Sequence, residues 1–342
     1  MIETKERDVN LMEASFYSNP FYFSYSSLNR LLMAPNIFYK EYVLKIKEIK
    51  TEKYLLEGTL IHYLLLDHRA FDEKFLVVPE DLPSDNSVKV AHAVFDLYKK
   101  KVEQDPTNAD FELVDFPDEI MRVLEDMNLH QKVKDENRVA KIVEPRTEAY
   151  FKYLKMKGTR EIIDSGMLDK CTRAADLLKT NPHVRELLGM DLESDGVNYG
   201  VYNELQLRME LENMPFGLQG ILDNMVVDVA NKTVRINDFK TTGKTLVDFP
   251  ESVEYWNYWL QAVIYLLLAM EYLKAVIDDS WKFEVHFIVF DKYDQMYAYP
   301  VSQSSLSTWL AKYHETLNEA LYHYNEKDFS LPYRFVAGGV TL

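Results

Sequence analysis

The amino-acid sequence predicts an α/β fold in which a central mixed β-sheet is flanked by helices, and three patterns indicate it. Residues 199–247 contain stretches that alternate polar and apolar side chains, as half-exposed strands do. The apolar, aromatic-rich segment Val253–Leu273 has the length of a helix and follows these strands. Two more strand-like segments come after it. Strands on both sides of a helix are typical of an α/β domain.

The N-terminal region, residues 1–80, is predicted to be mostly helical. Ser26 and Ser27 precede apolar positions at helical spacing. A serine at such a place can cap the first amides of a helix. A second helix is expected from about Tyr54 to Asp67, where leucines dominate.

Residues 81–198 are predicted to form a helical insertion within a single domain that spans residues 1–342. Helices are expected at Ala91–Val102, at Ile120–Leu129 and at Asp164–Leu188, the last one interrupted near Asn181 and Pro182. A strand is expected near Arg138–Val143.

From residue 199 onward the sequence predicts the sheet itself. An antiparallel meander is expected from Glu204–Leu211, Leu218–Val229 and Thr233–Lys240, with a short turn at Asn231–Lys232. After the helix, a hairpin is expected from Phe283–Phe290 and Gln295–Val301, and a final helix from Ser304–Tyr324.

The composition limits the class of protein. The 342 residues carry a net charge of −16 and are 47% hydrophobic, which suits a large core and argues against a broad basic coat for nucleic acid. The single cysteine, Cys171, excludes a disulfide framework and any four-cysteine metal site within one chain. The charged N-terminus is unlike a signal peptide, and no apolar run reaches the ~20 residues of a membrane span. We therefore expect a soluble cytoplasmic protein with no membrane partner.

The chemically informative segment contains Asp223, Asp238 and Lys240. Residues two apart on a strand face the same side, so Asp238 and Lys240 should project together. A hairpin would bring Asp223 near Asp238, and the carbonyl of Phe239 could complete an oxygen site suited to Mg²⁺ or Mn²⁺. Lys240 could then orient a water or stabilise charge on a phosphate ester. The alternative is a solvated strand face.

Three further residues are candidates for the same site. Gln261 and Tyr265 are four apart on the predicted helix, so they share one face and could hydrogen-bond a phosphate or the carboxylates. His62 lies in a leucine-rich helix and could be a metal ligand. Each also has a structural explanation, because buried helices contain polar groups that satisfy neighbouring backbone and core histidines are common.

Five segments in order resemble the PD-(D/E)XK nuclease superfamily, and more closely the RecB/RecE-type exonucleases and their phage relatives. They are Tyr25–Pro35, Gly58–His62, Gly220–Asp223, Asp238–Thr242 and Gln261–Tyr265. The resemblance implies a restriction-endonuclease-like core. It implies metal ligation of two Mg²⁺ or Mn²⁺ ions by Asp223, Asp238, the Phe239 carbonyl, His62 and Glu204, catalysis by Lys240, and support of the site and the DNA strand by Gln261 and Tyr265.

The resemblance also implies an activity and partners. The expected activity is exonucleolytic hydrolysis of linear double-stranded DNA, 5′ to 3′, in phage-type homologous recombination. The expected partners are a single-strand annealing protein and further copies of the chain in a ring-shaped homo-oligomer, in the host cytoplasm if a phage encodes it. The alternatives are an endonuclease of restriction or repair type on the same fold, an inactive DNA-end binding protein, and a metal-free structural protein with coincidental motifs.

One segment could contact DNA outside the site. Residues 131–160 hold nine basic residues against four acidic ones, with Tyr150, Phe151 and Tyr153 between them. Basic side chains bind phosphates and aromatic rings stack on unpaired bases. A solvated helix with its aromatic residues in the core would show the same pattern.

Overall fold

The computed structural model describes residues 12, 14–46, 53–158, 160–192, 194 and 198–341. The N-terminal segment that lacks a signal-peptide pattern lies mostly outside the described residues. Contacts divide the chain into two compact units. The first contains Met1–Gly58, Leu65–Asp67 and Ala174–Leu342, and the second contains Thr59–Leu64 and His68–Arg173. Most of the predicted helical insertion therefore belongs to the second unit.

Strands and helices are numbered here in chain order over the described residues. The strands are β1 (Phe21–Phe23), β2 (Phe75–Val77), β3 (Glu161–Ile163), β4 (Tyr199–Glu210), β5 (Phe216–Asp228), β6 (Thr233–Thr242), β7 (Lys282–Asp291) and β8 (Met296–Pro300). The helices are α1 (Tyr25–Met33), α2 (Pro35–Phe38), α3 (Lys53–Leu66), α4 (Phe71–Lys74), α5 (Asp85–Gln104), α6 (Pro117–Asp126), α7 (Asp135–Ile142), α8 (Pro145–Lys157), α9 (Ser165–Thr180), α10 (Pro182–Leu188), α11 (Phe249–Tyr255), α12 (Tyr258–Leu273), α13 (Gln303–Glu326) and α14 (Tyr333–Val336).

The first unit is built on a mixed sheet of six strands. Strand β5 pairs antiparallel with β4 along its length, and its second half pairs antiparallel with β6. Strands β6 and β7 run parallel, β8 returns antiparallel to β7, and β1 pairs with the start of β5. The predicted mixed α/β class is confirmed. The short strand β1 was not predicted, because three residues show no measurable alternation.

Helix α12 forms the centre of the core of the first unit. It packs against strands β4 to β7 on one side and against α13 and α1 on the other. Its side chains are therefore buried almost all round, among them Trp259, Leu260, Val263 and Ile264. A helix enclosed in this way is apolar on every face, which explains the aromatic and aliphatic run in the sequence.

The long helix predicted at Val253–Leu273 is broken into α11 and α12. Asn257 has a φ of 56°, in the left-handed region that an asparagine tolerates better than most residues. Its side-chain oxygen accepts a hydrogen bond from the Trp259 indole at 2.9 Å. The chain thus turns at Asn257, and α12 begins at Tyr258.

The second unit is helical and has its own core. Helices α5, α6, α7 and α8 surround buried residues that include Val90, Phe116, Leu124 and Phe151. Strands β2 and β3, which were not predicted, pair in parallel.

The strand predicted near Arg138–Val143 is wrong, because this segment is helix α7. Arg138 there pairs with Asp135 one turn earlier at 3.2 Å and donates to the Leu129 carbonyl. Val139 and Ile142 reach the core at helical spacing.

A buried histidine lies on the central strand β7. His286 is 9% exposed, and burial lowers its pKa to about 4, with the positive charges of Arg235 and His183 acting in the same direction. The His286 ring therefore stays neutral in the folded protein at pH values where the unfolded chain, below pH ~6.5, binds a proton there. Stability from the neutral ring is complete above that pH and decreases as the pH falls toward 4.

Replacing His286 with leucine should remove this pH dependence. Between pH 7 and pH 4 the wild-type free energy of unfolding should fall by roughly 3 kcal/mol more than that of His286→Leu, because only the wild type must keep the ring neutral. Urea unfolding of both proteins at several pH values measures the difference. Parallel pH profiles would show that the ring protonates freely in the folded state.

Candidate functional site

Asp238 and Lys240 form a buried ion pair on β6. The Lys240 Nζ lies 2.5 Å from Asp238 Oδ2, as their spacing of two residues on a strand predicts. Asp238 is 1% exposed. Burial by itself would lower the pKa of Lys240, but the charges of Asp238 and Asp223 outweigh it and the pKa is raised. Lys240 is therefore a cation at neutral pH.

Asp223 lies where strands β5 and β6 separate. Their pairing ends at Asn224 opposite Asn237, one residue before the two aspartates would face each other. In place of a further strand bond, Asp223 Oδ2 accepts a hydrogen bond of 2.7 Å from the Phe239 backbone N–H. We call this point the fork. It places the Asp223 carboxylate against the residue between Asp238 and Lys240.

Glu204 lies opposite Asp223 on the neighbouring strand. Carboxylate oxygens of the two residues are within 4.8 Å of each other. Glu204 has a φ of 52°, and the β4–β5 pairing is interrupted at this residue. A left-handed conformation costs a residue with a Cβ about 1 kcal/mol or more, and such strain persists where the surrounding structure imposes it. The acidic residue at position 204 could be recognised in the sequence, but its left-handed backbone conformation could not be predicted.

His62 lies on α3, in the segment of that helix assigned to the second unit. Other residues of α3 belong to the first unit and contact its sheet. The Leu66 carbonyl accepts a hydrogen bond from Asn203 Nδ2 at 3.1 Å. Near the other end, a methyl group added to Gly58 would lie 2.6 Å from Thr241 Oγ1. The absence of a side chain at Gly58 therefore permits this close approach.

Gln261 and Tyr265 form a hydrogen-bonded pair on α12. Gln261 Nε2 donates to the Tyr265 hydroxyl at 2.9 Å, which agrees with their predicted common face. Gln261 is 7% exposed, and its Oε1 has no hydrogen-bond partner within the described part of the chain. Burial, with the charges of Asp223 and Asp238, raises the pKa of Tyr265 far above its usual value. Tyr265 is therefore a neutral hydroxyl in the field of the carboxylates.

Gln261 and Tyr265 border a cavity of about 750 Å³ in the first unit. It is lined by Ser24, Tyr25, Ser26, Gln206, Leu207, Arg208, Gln219, Gly220, Ile221, Gln261 and Tyr265. Gly220 brings the floor close to α12, because a Cβ there would lie 3.0 Å from the Tyr265 ring. The volume is in the range of pockets that hold small molecules or part of a polymer.

Sequence reasoning missed two tyrosines at the site. The Tyr258 ring lies 5.1 Å from Lys240 Nζ, a cation–π distance. Tyr25 donates to the Trp256 carbonyl at 2.6 Å, and Asn29 binds the same carbonyl at 3.2 Å. The segment Tyr25–Pro35 therefore includes residues that hold the turn before α12. The aromatic run Tyr255–Trp259 was a usable signal, but nothing in it distinguishes Tyr258 from its neighbours.

The oxygen donors at the fork fit a divalent cation. Asp223 and Glu204 bring carboxylate oxygens together, and Asp238 adjoins Phe239, whose backbone N–H binds Asp223. Carboxylate and carbonyl oxygens are the ligands that Mg²⁺ and Mn²⁺ prefer. Carboxylates so close together repel one another unless a cation lies between them or beside them, and Lys240 supplies only one positive charge.

Among the helices that the structure describes, none combines the length and the apolar composition that a bilayer span requires.

A mixed α/β sheet whose strands separate at carboxylates beside a buried lysine agrees with the family to which the sequence comparison assigns the chain. The chain belongs to the PD-(D/E)XK nuclease superfamily, whose model matches residues 22–329. Nucleases of this superfamily use divalent metal ions. The similar solved structures include a crystal structure from Eubacterium rectale described as "Putative exonuclease", with 10% identity, 92% of this chain and 85% of that chain covered, and a TM-score of 0.43. No curated protein matches the sequence.

The close approach of α3 to β6 can be tested by a pair of substitutions. Gly58→Ala should destabilise the protein by about 1–3 kcal/mol, since the new methyl group would overlap Thr241 Oγ1. Thr241→Ala removes that oxygen, so the double variant should recover much of the loss. Thr241→Val keeps the bulk and should not rescue. Urea unfolding of the three single and two double variants measures this, and additive losses in both double variants would contradict the contact.

Proposed function

We propose that the protein is a metal-dependent exodeoxyribonuclease that hydrolyses phosphodiester bonds from the ends of linear double-stranded DNA. The observation that carries the proposal is the buried pair of Asp238 and Lys240 beside Asp223 at the fork. Membership of the nuclease superfamily supports hydrolysis of nucleic acid. The exonuclease type is supported by the five segments that resemble the RecB/RecE group.

The residues of the fork have distinct roles in this proposal. Asp223, Asp238 and the Phe239 carbonyl hold Mg²⁺ or Mn²⁺, two ions in all, with Glu204 and His62 as further ligands. Ions held there would supply Lewis-acid stabilisation of the phosphate and would lower the pKa of a water at the site. His62 is included because Gly58 and Leu66, which lie on either side of it in α3, approach the sheet beside the fork.

Lys240 supplies a fixed positive charge and hydrogen-bond donors. Its raised pKa keeps it protonated, so it orients the attacking water or stabilises the phosphate oxygens and does not act as a general base at neutral pH. The water oxygen bonds to phosphorus and gives up a proton to solvent, the bond from phosphorus to the leaving oxygen breaks, and the leaving oxygen takes up a proton from solvent. Gln261 and Tyr265 offer neutral hydrogen-bonding groups beside the carboxylates and support the DNA strand at the cavity.

The biological setting is proposed from the resemblance alone. The enzyme would act as a single nuclease domain, digest DNA from 5′ to 3′ in phage-type recombination, and pass the remaining strand to a single-strand annealing protein. It would form a ring-shaped homo-oligomer and work in the cytoplasm, that of the host if a phage encodes it.

Loss of the lysine charge tests the active site. Lys240→Gln should slow degradation of linear duplex DNA in Mg²⁺ by a factor of roughly a hundred to a thousand, because a charge that stabilises the transition state is removed. Asp238→Asn should slow degradation to a similar extent, because it removes one carboxylate from the proposed metal ligands. Lys292→Gln, a substitution of an exposed lysine after β7, is the matched control.

The substrates in that assay should be linear DNA labelled at its 5′ or 3′ end and circular DNA. Release of label from one end of linear DNA, with circular DNA intact, is the expected result, and EDTA should abolish it. Cleavage of circular DNA would identify an endonuclease. Wild-type binding of DNA ends without cleavage would identify an inactive DNA-end binding protein, and full activity of Lys240→Gln would refute the site.

Residues 131–160, the basic segment of the second unit, form the proposed DNA contact outside the site. Six of its basic residues are exposed: Lys132, Lys134, Lys141, Arg146, Lys152 and Lys157. Two others are used inside the unit, since Arg138 pairs with Asp135 and Lys155 donates to the Phe111 carbonyl at 2.9 Å. The Phe151 side chain is in the core, whereas Tyr150 and Tyr153 stack on each other and are half-buried.

Charge reversal at two exposed lysines tests this contact. Lys152→Glu with Lys157→Glu should weaken DNA binding in Ca²⁺ and reduce the slope of log K against log salt by about 1 for each lost phosphate contact. Lys274→Glu with Lys282→Glu, two exposed lysines of the first unit, controls for net charge. Fluorescence anisotropy at several salt concentrations measures both, and equal slopes in the two double variants would place the DNA elsewhere.

A further inference from the structure

A row of three asparagines crosses the sheet of the first unit. Asn203 on β4 lies opposite Asn224 on β5, and Asn224 lies opposite Asn237 on β6. In the chain each asparagine adjoins one acidic residue of the fork: Asn203 adjoins Glu204, Asn224 adjoins Asp223, and Asn237 adjoins Asp238. The asparagine row is thus the row of the sheet next to the carboxylates.

The side-chain amides of the row are hydrogen-bonded in series. Asn237 Nδ2 donates to Asn224 Oδ1 at 2.7 Å, and Asn224 Nδ2 donates to Asn203 Oδ1 at 2.8 Å. Asn203 Nδ2 in turn donates to the carbonyl of Leu66, the last residue of α3. The series ties three strands and the end of one helix together.

The row also satisfies the end of α10. Asn237 Nδ2 donates to the Leu187 carbonyl at 2.8 Å, and Asn224 Nδ2 donates to the Leu188 carbonyl at 3.2 Å. The last carbonyls of a helix have no hydrogen-bond donors within the helix, so these side-chain amides act as their donors. Both donors of each amide are therefore used, which fixes its orientation. Asn224 and Asn237 are each 1% exposed, so water is no substitute.

The row marks the last pairing before β5 and β6 separate. Beyond Asn224 and Asn237 the strands share no further pairing, and Asp223 binds the Phe239 N–H instead. Because residues alternate faces along a strand, Asn237 points away from the face of Asp238. A shift of either asparagine would move the backbone of its acidic neighbour directly, since one peptide unit joins them.

We propose that the asparagine row positions the carboxylates for metal binding by fixing the geometry of the fork. Asn224 and Asn237 are positioning residues, because they act through Asp223 and Asp238. The inference rests on the metal site of the proposed function. A row that only stabilised the fold would affect unfolding and leave the metal affinity of the folded protein unchanged.

The test is Mn²⁺ binding without DNA, followed by the electron paramagnetic resonance signal of free Mn²⁺. In Asn237→Leu the Kd for Mn²⁺ should rise roughly tenfold, on the scale seen when groups that orient metal ligands are removed. The Mg²⁺ concentration for half-maximal nuclease rate should rise in parallel, while the rate at saturating Mg²⁺ should recover. Asn203→Ala, at the exposed end of the row, disturbs the fold less and should raise the Kd in the same direction.

Leu317→Ala is the control, because it opens the core at α13 and lowers stability without touching the row. Its Kd for Mn²⁺ should equal that of the wild type. An unchanged Kd in the folded asparagine variants would overturn the positioning role. If the wild type binds Mn²⁺ but degrades no DNA, the nuclease proposal is refuted. The comparison of Kd values then still tests the positioning role of the asparagine row. A wild type that binds no Mn²⁺ would refute both.

Discussion

The hydrogen bond from the Phe239 N–H to the Asp223 carboxylate is the interaction on which the site depends. At this point a side chain takes the place of a strand partner, so β5 and β6 can separate while the Phe239 N–H remains satisfied. The separation of the two strands leaves space at the carboxylates. Continued pairing of β5 with β6 would close that space. Lys240 then offsets part of their charge, and α12 closes the site from one side with Gln261 and Tyr265.

The parts of the fold that follow from local pattern could be predicted from the sequence. Strand-like segments predicted β4 to β8, with alternation seen at Glu204–Leu211, and the spacing of Asp238 and Lys240 placed both on one face because the period of a strand is two. The break at Asn181 and Pro182 was visible because proline cannot continue a helix. The three short strands β1 to β3 and helix α7 were not visible, since their conformation is set by contacts with distant residues.

At the candidate site, residue type could be predicted and conformation could not. The acids, Lys240, Gln261 and Tyr265 stood out by chemistry and order. The left-handed backbone of Glu204, the turn at Asn257 and the hydrogen bonds of the asparagine row arise from packing between segments far apart in the chain. The net charge of −16 argues against a broad basic coat, yet six exposed basic residues lie within residues 131–160, a local excess that the net charge of the whole chain does not show.

The parallel pairing of β1 with β5 has a consequence for synthesis of the protein. Phe21 is paired with Phe216, so the first strand must wait for most of the chain to leave the ribosome before it finds its partner. Contacts of such sequence separation slow folding and keep apolar surface exposed meanwhile. The helical second unit, with its local contacts, can fold earlier. Asp223 lies within β5, and Asp238 and Lys240 follow it, so a nascent chain cannot assemble the proposed metal site until synthesis is well past its midpoint.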